Sequence, residues 1–205
     1  PHFIWMIKDQ LDELYLSGQL SVDQSLIIRT TLDLDMQNLA EEIVKRRIEL
    51  FKPLEGQTNF NVKNAALVVL DPHTGEILTL VGSADYFDVS INGALNMAIT
   101  RRQSGSAFKP IIYAAALDPT RMDAITAATP ILDVATTFTT KDGQPYKPVN
   151  YDGREHGFVP VRQALASSLN VPAVLTLQNV GIENAISLAN QLGIRSPSDP
   201  RNYDL

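Results

Sequence analysis

Cysteine is absent from all 205 residues, so no disulfide and no thiolate zinc site supports this fold. That absence is compatible with either redox side of a membrane. Histidine occurs only three times, as His2, His73 and His156, with no metal-ligand spacing between them. Positive charge is not in excess: 17 lysines and arginines face 23 aspartates and glutamates, a formal net charge of -6. Nucleic-acid surfaces leave a basic footprint, so nucleic acid is excluded as a partner. No run of about 18 or more apolar residues occurs, so no segment here is expected to span a bilayer. Internal repeats, low-complexity tracts and a convincing domain boundary are missing as well.

What the chain does have is a large apolar share, 44% of its residues, enough for one sizeable core. Phe3-Ile4-Trp5-Met6-Ile7 with Leu11, Leu14 and Leu16 predicts a short amphipathic helix ended by Gly18. The Phe3, Trp5, Met6 cluster suits an interface or ordinary packing equally. Ser25 to Thr31 reads as a strand. Asp33 is placed to cap a helix whose apolar stripe would be Leu39, Ile43, Val44 and Ile48. Pro53 to Lys63 reads as a loop. Ala65 to Leu70, the turn Asp71-Pro72-His73-Thr74-Gly75, and Glu76 to Gly82 spell a β-hairpin. Its first strand has almost no polar face and is expected to be covered on both sides.

Residues 92–100 suit a short helix, and residues 133–151 an extended excursion with an edge strand at Thr136 to Thr139. Val161 to Leu169 is a predicted helix begun near Pro160. Two more run from Ala173 to Leu177 and from Ile182 to Leu192, punctuated by Gly181 and Gly193.

Between these lies the stretch with chemistry in it: Arg101-Arg102-Gln103-Ser104-Gly105-Ser106-Ala107-Phe108-Lys109-Pro110, followed by the apolar run Ile111 to Leu117. A helix begun near Ser106 puts Ser106 and Lys109 on one face of its first turn. Pro110 is tolerated there, because first-turn amides have no intrahelical partner. An apolar wall around Lys109 would lower its pKa and let it take the proton of Ser106. Taken alone, the pair reads as a capping serine and a solvated lysine before it reads as a nucleophile and base. Arg101 and Arg102 suit an acidic substrate or plain solvation.

The combination of motifs resembles the transpeptidase domain of penicillin-binding proteins, especially the bifunctional class A enzymes. Its Ser-x-x-Lys motif is Ser106-Ala107-Phe108-Lys109, with Arg102-Gln103-Ser104-Gly105 before it; most relatives have proline where this chain has Ser104. The Ser-x-Asn motif is Ser168-Leu169-Asn170, followed by Val171-Pro172-Ala173. Asn150-Tyr151-Asp152-Gly153 and His156-Gly157 are typical just ahead of it, and Tyr151 and His156 suit either a cleft lining or a loop brace. Thr30-Thr31-Leu32-Asp33 with Gln37, and the Asp71-Pro72-His73-Thr74-Gly75 turn, fit the early part of the domain. The third motif, Lys-Thr-Gly or Lys-Ser-Gly, is absent. Lys141-Asp142-Gly143 is no substitute, since it precedes the second motif.

The resemblance implies an α+β fold of the penicillin-binding and serine β-lactamase type, a central antiparallel sheet flanked by helices, incomplete in this chain. Residues 1–30 would be an interdomain linker and first element, and 31–205 the N-terminal part of the transpeptidase domain, ending before the third motif. The implied activity is D,D-transpeptidation of peptidoglycan through a serine acyl-enzyme, with β-lactamase, β-lactam sensor or non-catalytic scaffold as alternatives. Ser106 would be the nucleophile, Lys109 the base, Ser168 the proton relay and Asn170 the group holding Lys109 and the substrate amide. No cofactor or metal is implied. Expected partners are stem peptides ending in D-Ala-D-Ala, β-lactam antibiotics, the missing C-terminal segment and an upstream glycosyltransferase domain. The implied place is the extracytoplasmic face of the bacterial membrane, with membrane contact through the parent protein only.

Overall fold

The computed structural model describes residues 1–21, 25–52 and 61–194. They fall into two compact units, Pro1–Arg101 and Arg102–Leu205, a division that the residue pattern does not announce.

The first unit begins with helix α1, His2–Leu16, which buries His2 and Phe3 and leaves Trp5 half exposed. It stops where Gly18 turns left-handed at φ 73°. There Gly18 N–H donates to Tyr15 C=O (3.0 Å) and Gln19 N–H to Leu14 C=O (3.0 Å). These are the paired bonds of a Schellman end. Helix α2, Leu34–Leu50, is capped as expected: the Asp33 carboxylate accepts from Met36 N–H at 2.9 Å. Strands β1, Leu67–Leu70, and β2, Ile77–Val81, pair antiparallel from Leu67↔Val81 to Leu70↔Ile77. In the turn, Asp71 Oδ1 accepts from His73 N–H at 2.7 Å and Asp71 C=O from Gly75 N–H at 2.8 Å. Ala40, Val44 and Ile48 of α2 close a core with Val81 and Ala84.

Four expectations for this unit are corrected. The buried face of α2 is Gln37, Ala40, Val44 and Ile48, whereas Leu39 and Ile43 are exposed. The face turned because Gln37 docks on the free edge of β2. Its Oε1 accepts from Leu80 N–H (2.9 Å) and its Nε2 donates to Leu80 C=O (3.1 Å), as a neighbouring strand would. Strand β1 is not covered on both sides: its burial alternates, with Val68 and Leu70 exposed. Residues 25–31 form no strand. Only their end meets β2, through Thr31 Oγ1 to Ile77 C=O (2.7 Å) and Asp33 N–H to Leu78 C=O (2.9 Å). Residues 92–100 are turns rather than helix. The loop expected at 53–63 lies mostly outside the described residues.

The second unit is mainly helical. After a 3-10 turn at Gly105–Phe108 comes α3, Lys109–Ala116, with Pro110 in its first turn. Strand β3, Pro130–Asp133, pairs antiparallel with β6, Gly157–Pro160. A small hairpin of β4, Phe138–Thr139, and β5, Pro145–Tyr146, fills the excursion between them. Helix α4, Val161–Ala166, follows β6 through Pro160; α5 is Asn170–Val180 and α6 is Ile182–Gln191. Helix α5 starts three residues before the predicted Ala173. Pro172 sits in its first turn, where a missing N–H leaves no bond unmade. Tyr113, Val159, Val161, Ala164, Leu169 and Ala173 form one core cluster. Ala115, Ala116, Val180 and Ala185 form another, where small side chains let α3 meet α5 and α6. Among the described residues the sheets are short and antiparallel, two strands each. This is mixed helix and sheet with the sheet incomplete.

Candidate active site

Three short segments of the second unit converge on one amine. The 3-10 turn presents Ser106 to solvent, and Lys109 follows at the start of α3, 8% exposed. Its Nζ donates to Ser168 C=O at 2.6 Å, to Ser168 Oγ at 3.2 Å and to Asn170 Oδ1 at 2.6 Å. An ammonium has three N–H groups, and here each has an acceptor. None of these acceptors carries charge. Burial therefore pushes the Lys109 amine below its ordinary 10.5. All four predicted residues, Ser106, Lys109, Ser168 and Asn170, lie in this region. Nζ bonds the second motif, while no hydrogen bond joins it to Ser106 Oγ among the described residues.

The corner between α4 and α5 sets Ser168. Helix α4 ends with Ser168 N–H donating to Leu165 C=O (3.0 Å) and Leu169 N–H to Ala164 C=O (2.9 Å). This is the same Schellman arrangement as at Gly18. It recurs after α6, with Gly193 N–H to Asn190 C=O (3.0 Å) and Ile194 N–H to Ala189 C=O (2.9 Å). Gly193 has φ 80° and Ser168 φ 52°. Serine thus occupies a left-handed seat that the other two ends give to glycine. That seat puts both its carbonyl and its hydroxyl on Lys109. Leu169, next in line, is buried in the core and anchors the corner.

Asn170 is fixed at both ends. Its backbone N–H donates to Asn150 Oδ1 (2.8 Å) and its Nδ2 to Val149 C=O (2.6 Å), which leaves Oδ1 for Lys109. Asn150 is fixed in turn. Its Nδ2 donates to Asp133 Oδ1 (3.0 Å), Asp133 Oδ2 (2.8 Å) and Arg154 C=O (2.8 Å). Asp133 is fully buried at the end of β3 and also accepts from His156 N–H (3.2 Å) and His156 Nδ1 (2.6 Å). His156 Nε2 meets Asp152 Oδ2 at 3.1 Å. The Asp133 carboxylate beside it raises the His156 pKa above 6.5. His156 therefore braces the loop, whereas Tyr151 is fully exposed. Arg101 and Arg102 are exposed and form no ion pair among the described residues. Residue patterns single out Asn150 only as part of a motif and give no signal for Asp133, whose partners are 17 and 23 positions away.

No cluster of three or more potential metal ligands occurs among the described residues, and no helix there is long and apolar enough to cross a membrane. Three comparisons bear on this arrangement. A family model described as the penicillin binding protein transpeptidase domain matches residues 65–201. Over 142 residues the chain is 37% identical to penicillin-binding protein 1A of Pseudomonas aeruginosa, an overlap of 69% of this chain and 16% of that protein. Over 194 residues it is 31% identical to penicillin-binding protein 1B of Vibrio cholerae, covering 95% of this chain and 24% of the relative. The chain therefore spans less than a quarter of the length of either relative. Among solved structures, penicillin-binding protein PonA1 of Mycobacterium tuberculosis matches with a TM-score of 0.67 at 25% identity, over 91% of this chain and 44% of that one. Penicillin-binding protein 1A of Haemophilus influenzae matches with a TM-score of 0.57 at 26% identity, over 68% and 20%.

Proposed function

This chain belongs to the penicillin-binding protein transpeptidase family, and on that premise we propose that it carries the nucleophile and base of a D,D-transpeptidase that cross-links peptidoglycan stem peptides. The observation that carries the reading is the seat of Lys109: buried, depressed in pKa and held by Ser168 and Asn170.

In this reading the neutral Lys109 amine takes the hydroxyl proton of Ser106, whose oxygen attacks the carbonyl between two terminal D-alanines. The resulting ammonium finds three acceptors already in place, which stabilises charge as it develops. Ser168 Oγ, one of those acceptors, hands its proton to the departing D-alanine nitrogen and takes back from the Lys109 ammonium the proton that came from Ser106. That leaves an ester on Ser106, and an amine from a neighbouring stem takes the acyl group and restores the serine. The backbone N–H of Ser106 donates to no carbonyl among the described residues, so it is available for the oxyanion. In the family the other oxyanion donor and the contact to the substrate carboxylate come from the third motif, Lys-Thr-Gly or Lys-Ser-Gly, which residues 1–205 do not contain. β-Lactams present the same acyl unit and acylate the same oxygen. The whole protein acts at the extracytoplasmic face of the membrane beside a glycosyltransferase domain. Serine acyl transfer of this kind uses no metal or cofactor.

The test is intact mass spectrometry of the full product of the gene after incubation with benzylpenicillin, beside Ser106→Ala. A persistent penicilloyl adduct lost in Ser106→Ala is expected. An unmodified wild-type mass would refute the assignment, and rapid release of hydrolysed drug would make the protein a β-lactamase.

A further inference from the structure

The bonds that fix Asn170 converge on the buried carboxylate of Asp133. His156 donates to Asp133, Asp133 accepts from Asn150, Asn150 accepts from Asn170, and Asn170 accepts from Lys109; every link is 3.2 Å or shorter. A primary amide has one donor end and one acceptor end of nearly equal size, so sterics alone do not set which end faces which way. A buried carboxylate does. Asp133 only accepts when ionised, so it compels the NH2 end of Asn150 inward and the oxygen of Asn150 toward Asn170 N–H. That bond anchors the backbone of Asn170 at the start of α5 beside Val149, whose carbonyl takes the NH2 end of the Asn170 side chain. With its NH2 end so held, the Asn170 side chain turns its oxygen to Lys109.

We propose that Asn150, braced by Asp133 and His156, is a positioning residue that sets the amide of Asn170 toward Lys109. The inference rests on the proposed acylation at Ser106, since Asn150 touches no reacting atom. Its effect passes through the amine. The Asn170 oxygen favours the charged form of Lys109, so a loosened amide lets the amine lose its proton at lower pH. The ionisable groups around this assembly are Asp133, His156 and Asp152 in the brace and the buried phenol of Tyr113 on α3; no carboxylate bonds Lys109 itself.

The experiment is the second-order rate of Ser106 acylation by a fluorescent penicillin across a pH series. It uses the full product of the gene as wild type, Asn150→Ala and His156→Ala, with melting curves for each. Asn150→Ala is expected to acylate about 10²-fold more slowly, the loss that a small misplacement of a reacting group brings. Its lysine-dependent limb is expected at lower pH than in wild type. A merely structural residue would lower the rate without moving the limb. A folded Asn150→Ala with the wild-type rate and an unmoved limb overturns the proposal. If Asn150→Ala does not fold, His156→Ala decides. Its side chain is partly exposed, and a several-fold loss with the limb moved the same way supports the proposal, while wild-type behaviour overturns it. A wild-type protein that takes no label refutes the acylation reading itself, and the positioning role falls with it.

Discussion

Replacing Ser168 by glycine should make this protein more stable than replacing it by alanine, while both substitutions silence it. Ser168 has φ 52°, in a seat whose two counterparts are Gly18 and Gly193. The left-handed region costs an L-residue about 1–2 kcal/mol. Glycine gives up about 0.4–1 kcal/mol of that advantage through its freer unfolded chain. Both variants lose the same hydroxyl, which accepts from Lys109 at 3.2 Å, so that loss cancels in the comparison. The midpoints of these ranges leave a net preference for glycine over alanine of about 0.8 kcal/mol, or roughly 2–3 °C in melting temperature for a domain of about 150–250 residues. Urea midpoints with unchanged slopes measure it, and penicillin labelling of Ser106 is read on the same samples. Equal midpoints, or alanine above glycine, would refute the claim that the serine is held in a strained backbone. Full labelling of either variant would refute the role of its hydroxyl.

Four further outcomes follow from the geometry. Acylation should rise with pH through a limb below the ordinary lysine value of 10.5 and then level off, and Lys109→Ala should remove the limb and lower the rate about 10²- to 10⁴-fold. The folded protein releases that proton before the unfolded one does, so stability should also rise with pH across the same window. His156 has the opposite sign: its raised pKa contributes stability in full below 6.5 that is lost as pH climbs through the folded value. Urea midpoints of wild type should therefore converge with those of His156→Ala at high pH. Gly93→Ala should cost about 1–3 kcal/mol by denaturant unfolding, as overpacking does, because its Cβ would lie 1.9 Å from Asp85 C=O.

How legible these features are in the sequence depends on how local their causes are. Ser106 and Lys109 are three residues apart and share one turn, so spacing alone places them together. The Asp33 cap and the Asp71 turn are likewise settled within a few residues. The stripe on α2 is not, because Leu39 and Ile43 satisfy the helical period as well as Ala40 does. Only the bond pair from Gln37 to Leu80, 43 positions on, chooses the face. Residues 25–31 have strand composition, but a strand is made by its partner, and they meet β2 only at their end. Pro172 looks like a barrier between helices until the corner at Ser168 shows it to lie in the first turn of α5. Asp133 is the extreme case. A lone aspartate before a threonine-rich stretch reads as solvated, and its burial follows from Asn150 and His156 arriving together.

The contact between α3 and α5 also fixes when the chemistry becomes possible. The amine of Lys109 meets Asn170 across 61 positions, and both sit on helices whose burial depends on Tyr113, Leu169 and Ala173 closing together. At synthesis rates of about 5–20 residues per second, roughly 3–12 seconds separate the emergence of the two motifs from the ribosome. During that interval Ser106 and Lys109 are made, but Lys109 lacks the Ser168 and Asn170 acceptors that seat it. On the proposed acylation, labelling of Ser106 should never precede closure of the helical core, so its onset sets an upper bound on that folding time.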